Sequence, residues 1–244
     1  MILRRLRSHI QAENWFAVAI DFAIVVVGVF IGLQVANWNA ARADDARGER
    51  LMERLRAEFM EIEAEHLHSL SGVIFARDAA MDLEVAVAAG QLDPDSSDLP
   101  DRLGSIDYYR IPHGPSSTFS EIVSQGDMDL MQSPGLRDAL TRYDVVANRH
   151  LQASASVFAS IGEDVLKPLI ALTALPRDDR SERYRDEIAI LLGSPYLYTE
   201  IMDQRLKLEN SLFWFELSRV RVCEVLVALG ETCRPSPISA EAPS

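Results

Sequence analysis

Among the residues of this chain that could do chemistry, Asp21 has the most telling setting. It lies in the apolar run Trp15 to Ala36, WFAVAIDFAIVVVGVFIGLQVA, where the only other strongly polar residue is Gln34. A carboxyl in hydrocarbon costs free energy to keep, and it has two common uses: relaying protons, or hydrogen-bonding a neighbouring helix. At helical spacing Asp21 shares a face with Val25, Gly28, Gly32 and Val35. Gly28 and Gly32 form a GxxxG element, which lets two helix backbones approach closely. We therefore expect a membrane helix interface of Asp21, Gly28, Gly32 and Gln34, used for self-association or for another membrane protein. The plainer reading is incidental glycine in a simple anchor, because glycine is common in such helices.

Other candidate groups carry less. Of His9, His66, His68, His113 and His150, only His66 and His68 sit close in sequence. On a helix their rings would point about 200° apart, a poor metal pair, so a solvated helix surface is expected there. His113 stands in a Pro/Gly loop without an evident partner. The chain contains no GxSxG, P-loop or HExxH motif. No catalytic residue, cofactor or metal is therefore assigned, and the expectation is a protein that is not an enzyme. Cys223 and Cys233 are the only cysteines. An even pair in an exported segment is a candidate disulfide; the alternative is two unpaired thiols. Their spacing fits no zinc pattern.

The elements that position these groups begin with the apolar run itself. A helix of that length measures about 33 Å, enough to cross a hydrocarbon core of about 30 Å. The rival is a cleaved signal peptide, whose apolar region is normally about 7–15 residues. This run is longer and ends in Asn37-Trp38-Asn39, so Trp15 and Trp38 are expected as interfacial anchors against the lipid bilayer. Arg4, Arg5 and Arg7 precede it, and Arg42, Arg47, Arg50, Arg54 and Arg56 follow it. Counts of basic residues do not favour a cytoplasmic N-terminus, but a short basic tail before a long apolar run is the usual signal-anchor arrangement. The N-terminus is expected in the cytoplasm and the rest of the chain outside it. Ile2, Leu3, Leu6 and Ile10 fall at helical spacing among the arginines, so the tail is either a short amphipathic helix on the membrane or a basic flank that sets topology.

Beyond the span the sequence reads as helix throughout. The chain carries 24 Lys and Arg against 37 Asp and Glu, net −13, which argues against a nucleic-acid partner. Residues 1–13 form the basic tail, 14–38 the transmembrane anchor, 39–90 a helical stalk, 91–233 a helical bundle and 234–244 a disordered tail. In the stalk Met52, Leu55, Phe59, Ile62, Leu70, Val73 and Leu83 mark an intermittent apolar stripe, in one helix or in two broken near Ser71-Gly72. Further helices are expected over 118–125, 134–172, 178–192 and 195–229, with Ser133-Pro134 and Ser194-Pro195 as cap and first-turn pairs. Gly126 should end one of them. About 65% or more of the chain should be helical, well above the usual third.

Two stretches resemble a known family. IDFAIVVVGVFIGLQVANWN is similar to the opening anchor of a family of uncharacterised bacterial single-pass membrane proteins, through Asp21, Gly28, Leu33, Gln34, Asn37, Trp38 and Asn39. Ala36 departs from that pattern, and Asp21 stands where a glutamate is usual. STFSEIVSQGDMDLMQSPGLRDALTRYD resembles the family's central motif through Phe119, Glu121, Ser124, Gly126, Leu130, Leu136, Arg137 and Tyr143. The resemblance covers about 50 residues and implies an architecture, with a bacterial inner membrane and a periplasmic domain; it carries no activity.

The expectation from sequence is thus an all-α protein with a single N-terminal transmembrane helix, a helical stalk and an extracytoplasmic helical bundle. It would act as a scaffold, accessory subunit or sensor-like module. The alternative is a proton-relay or energy-transducing subunit that uses Asp21.

Overall fold

The computed structural model describes residues 15–108, 110–131, 133–158, 164–175 and 182–240. The protein is all-helical, at 81% helix with no strand among the described residues. Helix α1 spans Trp15–Ala88, α2 Leu99–Ile106, α3 Ser117–Gln125, α4 Pro134–Phe158, α5 Leu166–Thr173, α6 Glu182–Leu192, α7 Leu197–Ala228 and α8 Pro237–Ala240. A 3-10 turn covers Asp127–Leu130. The chain forms two compact units, Met1–Leu51 and Met52–Ser244.

The first unit holds the N-terminal part of α1, a helix long and apolar enough to cross a membrane, with none of its most apolar stretch buried by the described residues. Phe22, Ile24, Val25, Val29, Phe30 and Leu33 all face outward. The proposed amphipathic tail, Met1 to Ala12, lies outside the described residues.

In the second unit, residues 52–88 of α1 are a core helix rather than a separate stalk. Leu55, Phe59, Ile62, Leu70, Ala76 and Ala80 are fully buried. The stripe that looked intermittent is continuous because His66, also buried, fills the position between Ile62 and Leu70. No break occurs at Ser71-Gly72. Gly72 serves a close approach instead: a Cβ there would lie 2.2 Å from the Tyr108 phenol carbon and oxygen, so the ring rests directly on the helix backbone.

Helices α4 and α7 pack against this segment. His150 meets Ser218 and Arg142 meets Glu224, so α4 and α7 run antiparallel. Glu84 pairs with Arg205 and His66 touches Phe215, so α7 also runs antiparallel to α1. A main core of Leu70, Val73, Leu83, Leu103, Leu169, Ile201, Leu208 and Phe215 joins α1 and α7 to α2 and α5. Burying a side chain of this size contributes about 1.5–3 kcal/mol, enough for a few such contacts to decide where a helix docks.

Local signals set the shorter elements. Ser116 caps α3 by accepting from Phe119 N at 3.0 Å. Gly126 ends it at φ 76°, a left-handed conformation that suits glycine. Ser133 Oγ accepts from Leu136 N at 3.3 Å, as a cap before Pro134 should. Ser194 Oγ accepts from Tyr196 N at 3.3 Å, the bond expected of a cap before Pro195, and the regular helix α7 begins just beyond, at Leu197. The expected helix over 134–172 is interrupted: residues 164–165 form a turn, and α5 begins at Leu166. Residues 178–181, expected to start α6, lie outside the described residues. Residues 234–238, expected as the start of a disordered tail, are held in place. Arg234 bonds Glu63, Ser236 is buried and α8 follows, so a composition rich in Pro and Ser was outweighed by specific polar contacts.

Candidate functional site

The first unit places Asp21, Gly28 and Gly32 on one exposed face of α1, within about 40° of each other at 100° per residue. A Cβ added at Gly28 or Gly32 would meet nothing within 4 Å among the described residues. The same geometry removes Gln34 from this face: thirteen residues from Asp21, it lies about 140° away around the helix. The four residues expected as one interface therefore divide into a face of three and a separate glutamine. Trp38 is exposed, and the Arg42 guanidinium sits 4.6 Å from its ring centroid, a cation–π contact between neighbours one turn apart. The side chain of Trp15 lies outside the described residues.

Three places in the second unit gather several polar side chains each. At the start of α3, Glu58 accepts from Ser117 N at 2.7 Å, Ser116 Oγ at 2.9 Å, Ser117 Oγ at 3.0 Å and Thr118 N at 3.2 Å. Burial opposes its charge, but the Thr118, Ser117 and Ser116 donors prevail and hold the carboxyl below its ordinary value. The helix N-terminus is thus filled by the protein's own anion.

Further along α1, His66 faces the Ile62 carbonyl through Nδ1 at 2.9 Å, and its Nε2 is buried without a hydrogen-bond partner among the described residues. The edge of its ring meets Phe215, 5.9 Å between centroids. Phe215 also meets His150, 4.6 Å between centroids, and His150 stacks on Trp214 and pairs with Ser218 Oγ through Nδ1 at 2.9 Å. Burial pushes both imidazoles down to about 4, so both are neutral at pH 7. The expectation of a solvated surface at His66 is corrected: it is 1% exposed and part of the core.

At the C-terminal end of α7 a disulfide joins Cys223 to Cys233, with Cα atoms 5.3 Å apart. Gly230, at φ 84°, turns the chain back after the helix. Glu63, 3% exposed, takes the Arg234 backbone N–H at 2.7 Å and Arg234 Nε at 2.8 Å. Arg219 holds Glu216 through Nε and Nη2, and Glu216 also accepts from Ser236 Oγ at 3.0 Å. Burial opposes the Glu216 charge, and the Arg219 and Ser236 hydrogen bonds overcome it, so the carboxyl titrates below its ordinary value. One oxygen of Glu63 and the two sulfurs lie within 4.8 Å of one another, a donor set of metal-binding type. In the bridged form the sulfurs are bonded to each other and Glu63 is engaged by Arg234, so these atoms form a structural knot.

The cysteine pair was legible from sequence; Glu63, Arg219 and Arg234 around it were not. Only one signal existed, the position of Glu63 beside Ile62 and one turn after Phe59, on the stripe that faces the core. No family model, no curated protein and no solved structure matches this chain.

Proposed function

We propose that this protein is a membrane-anchored scaffold, accessory subunit or sensor-like module. The N-terminus lies in the cytoplasm and the helical bundle in the periplasm, and its work is binding rather than catalysis. The observation that carries the reading is the apolar first part of α1, whose side chains are left uncovered by the protein itself. Lipid satisfies that surface, and so does a partner helix seated on the Asp21, Gly28 and Gly32 face. The use of the bundle's buried polar groups supports the binding role. Glu58 caps α3, Glu200 accepts from Val165 N and Leu166 N at the start of α5, and Glu63 holds Arg234. Each of these carboxylates is committed to positioning backbone. The test is alkaline carbonate extraction of cell membranes followed by cross-linking. The full chain should stay in the pellet and yield a cross-linked oligomer or a discrete larger complex; a soluble monomer would contradict the proposal.

A second reading rests on Asp21, which lies exposed on the same face as the two glycines. In it the carboxyl carries protons within a partner's helices. Asp21→Asn separates the two. Under proton relay the variant inserts and assembles but loses function; under the interface reading it retains most of both, because asparagine still hydrogen-bonds.

A further inference from the structure

The Cys223–Cys233 bridge is surrounded by more chemistry than a staple requires. Arg219 lies one turn before Cys223 on α7, and its Nη1 is 3.4 Å from Cys223 Sγ and 3.8 Å from Cys233 Sγ. The rest of the guanidinium is fixed by Glu216, with Nε at 3.0 Å and Nη2 at 2.8 Å from the carboxylate. The same Nη1 also reaches the Arg234 carbonyl at 3.3 Å. A guanidinium held in this way presents a fixed positive charge to two sulfurs. Both cysteines are partly exposed, so a reagent can reach them. The nearby Glu63 carboxylate works in the opposite sense, but its charge is already shared with two donors from Arg234.

We propose that this bridge is a site of thiol–disulfide exchange with a dithiol reductant, in which Cys233 is the sulfur attacked and Cys223 the leaving thiolate. An incoming thiolate attacks Cys233 Sγ, the Cys223–Cys233 bond breaks, and its electron pair stays on Cys223 Sγ. The reagent is now joined to Cys233 as a mixed disulfide. Its second thiol loses a proton and attacks the reagent's own sulfur in that mixed disulfide, releasing Cys233 as a thiolate. Both cysteines end protonated or ion-paired, and the reagent ends as its disulfide, having supplied two electrons. The direction follows from geometry. The better leaving group is the thiol with the lower pKa, and a cation beside a sulfur lowers it. Arg219 is nearer Cys223, and both belong to one helix, so the contact survives bond breakage. Cys233 lies outside α7, in the segment after Gly230, so it shares no helix with Arg219. Reduction leaves residues 231–236 tied to the bundle by polar contacts such as Arg234 to Glu63 and Ser236 to Glu216.

The test uses the full chain in detergent micelles at pH 7. It is treated briefly with reduced glutathione, quenched with acid and mapped by peptide mass. The mixed disulfide should sit mainly on Cys233; a mixed disulfide mainly on Cys223 overturns the proposal. A second measurement follows iodoacetamide alkylation of Cys223 against pH in a Cys233→Ala chain. Its midpoint should fall about one unit or more below the 8.5 or so of a free cysteine, and adding Arg219→Gln should bring it back. In the bridged chain Arg219→Gln should slow reduction by dithiothreitol several-fold. A Cys223 midpoint at or above that of free cysteine with Arg219 present defeats the proposal. The glutathione mapping needs no variant, so a poorly folded Arg219→Gln chain does not shield it.

Discussion

Lowering the pH from 7 to 5 should strip the bundle of much of its stability through His66 and His150. His66 is 1% exposed and His150 2%, and burial pushes both down to about 4 from an ordinary value near 6.5. For His66 the Ile62 carbonyl and Glu65 favour the charged ring, while burial and His113 oppose it; for His150 burial leads and His66 adds to it. The unfolded chain therefore takes up protons that the folded chain refuses. Stability is complete above about pH 6.5 and is lost progressively as pH falls toward 4. At pH 5 each histidine costs about 2 kcal/mol, and the pair about 4 kcal/mol, against a typical total of about 5–15 kcal/mol. Glu58 and Glu216, held low by their donors, add their losses only at lower pH, so the interval from 6.5 to 5 belongs to the histidines. Urea unfolding of the full chain in micelles, followed by tryptophan fluorescence at pH 7, 6 and 5, measures this directly. Trp214, stacked on His150, reports the site. The midpoint should fall steadily, and a His66→Gln, His150→Gln chain should lose most of that slope. A midpoint constant from pH 7 to 5, or a slope unchanged in the double variant, refutes the reasoning.

Three other perturbations have clear expectations. Gly72→Ala places a methyl 2.2 Å from the Tyr108 ring and should destabilise by about 1–3 kcal/mol in urea unfolding, whereas in a Tyr108→Ala background it should be neutral or stabilising. Glu58→Ala leaves the α3 N-terminus and its serines without their acceptor and should cost about 2–3 kcal/mol in the same assay; a loss under 0.5 kcal/mol would contradict the capping role. Gly28→Leu and Gly32→Leu should abolish self-association measured by energy transfer in vesicles while insertion stays normal, because a Cβ at either position meets no atom of the described residues within 4 Å and the added bulk is apolar. Unchanged transfer would leave the span a plain anchor.

The fold class was legible because its signals are local. A long apolar run, helical periodicity, Gly126 with its left-handed φ and Ser133 before Pro134 each act within a few residues. The path of α1 past Ser71-Gly72 was only half legible, since the use of Gly72 depends on Tyr108, far along the chain. His66 was misread for the same reason: Glu65, His68 and Ser69 make its stretch of sequence look polar, but its neighbours in space are Phe215 and the α4–α7 pair. Gln34 looked like part of an interface by polarity, and helical geometry separates it from Asp21. The C-terminal segment looked disordered by composition, whereas Glu63, more than 170 residues earlier, fixes Arg234. Long-range polar pairs of this kind leave almost no trace in a single sequence.

The central claim is that one helix anchors the chain while the bundle lies outside the cytoplasm. The most direct measurement is a pair of reporter fusions after Ser244, expressed in a bacterial cell. Alkaline phosphatase should be active and green fluorescent protein dark. Bright fluorescence with an inactive phosphatase would place the bundle in the cytoplasm and contradict the account.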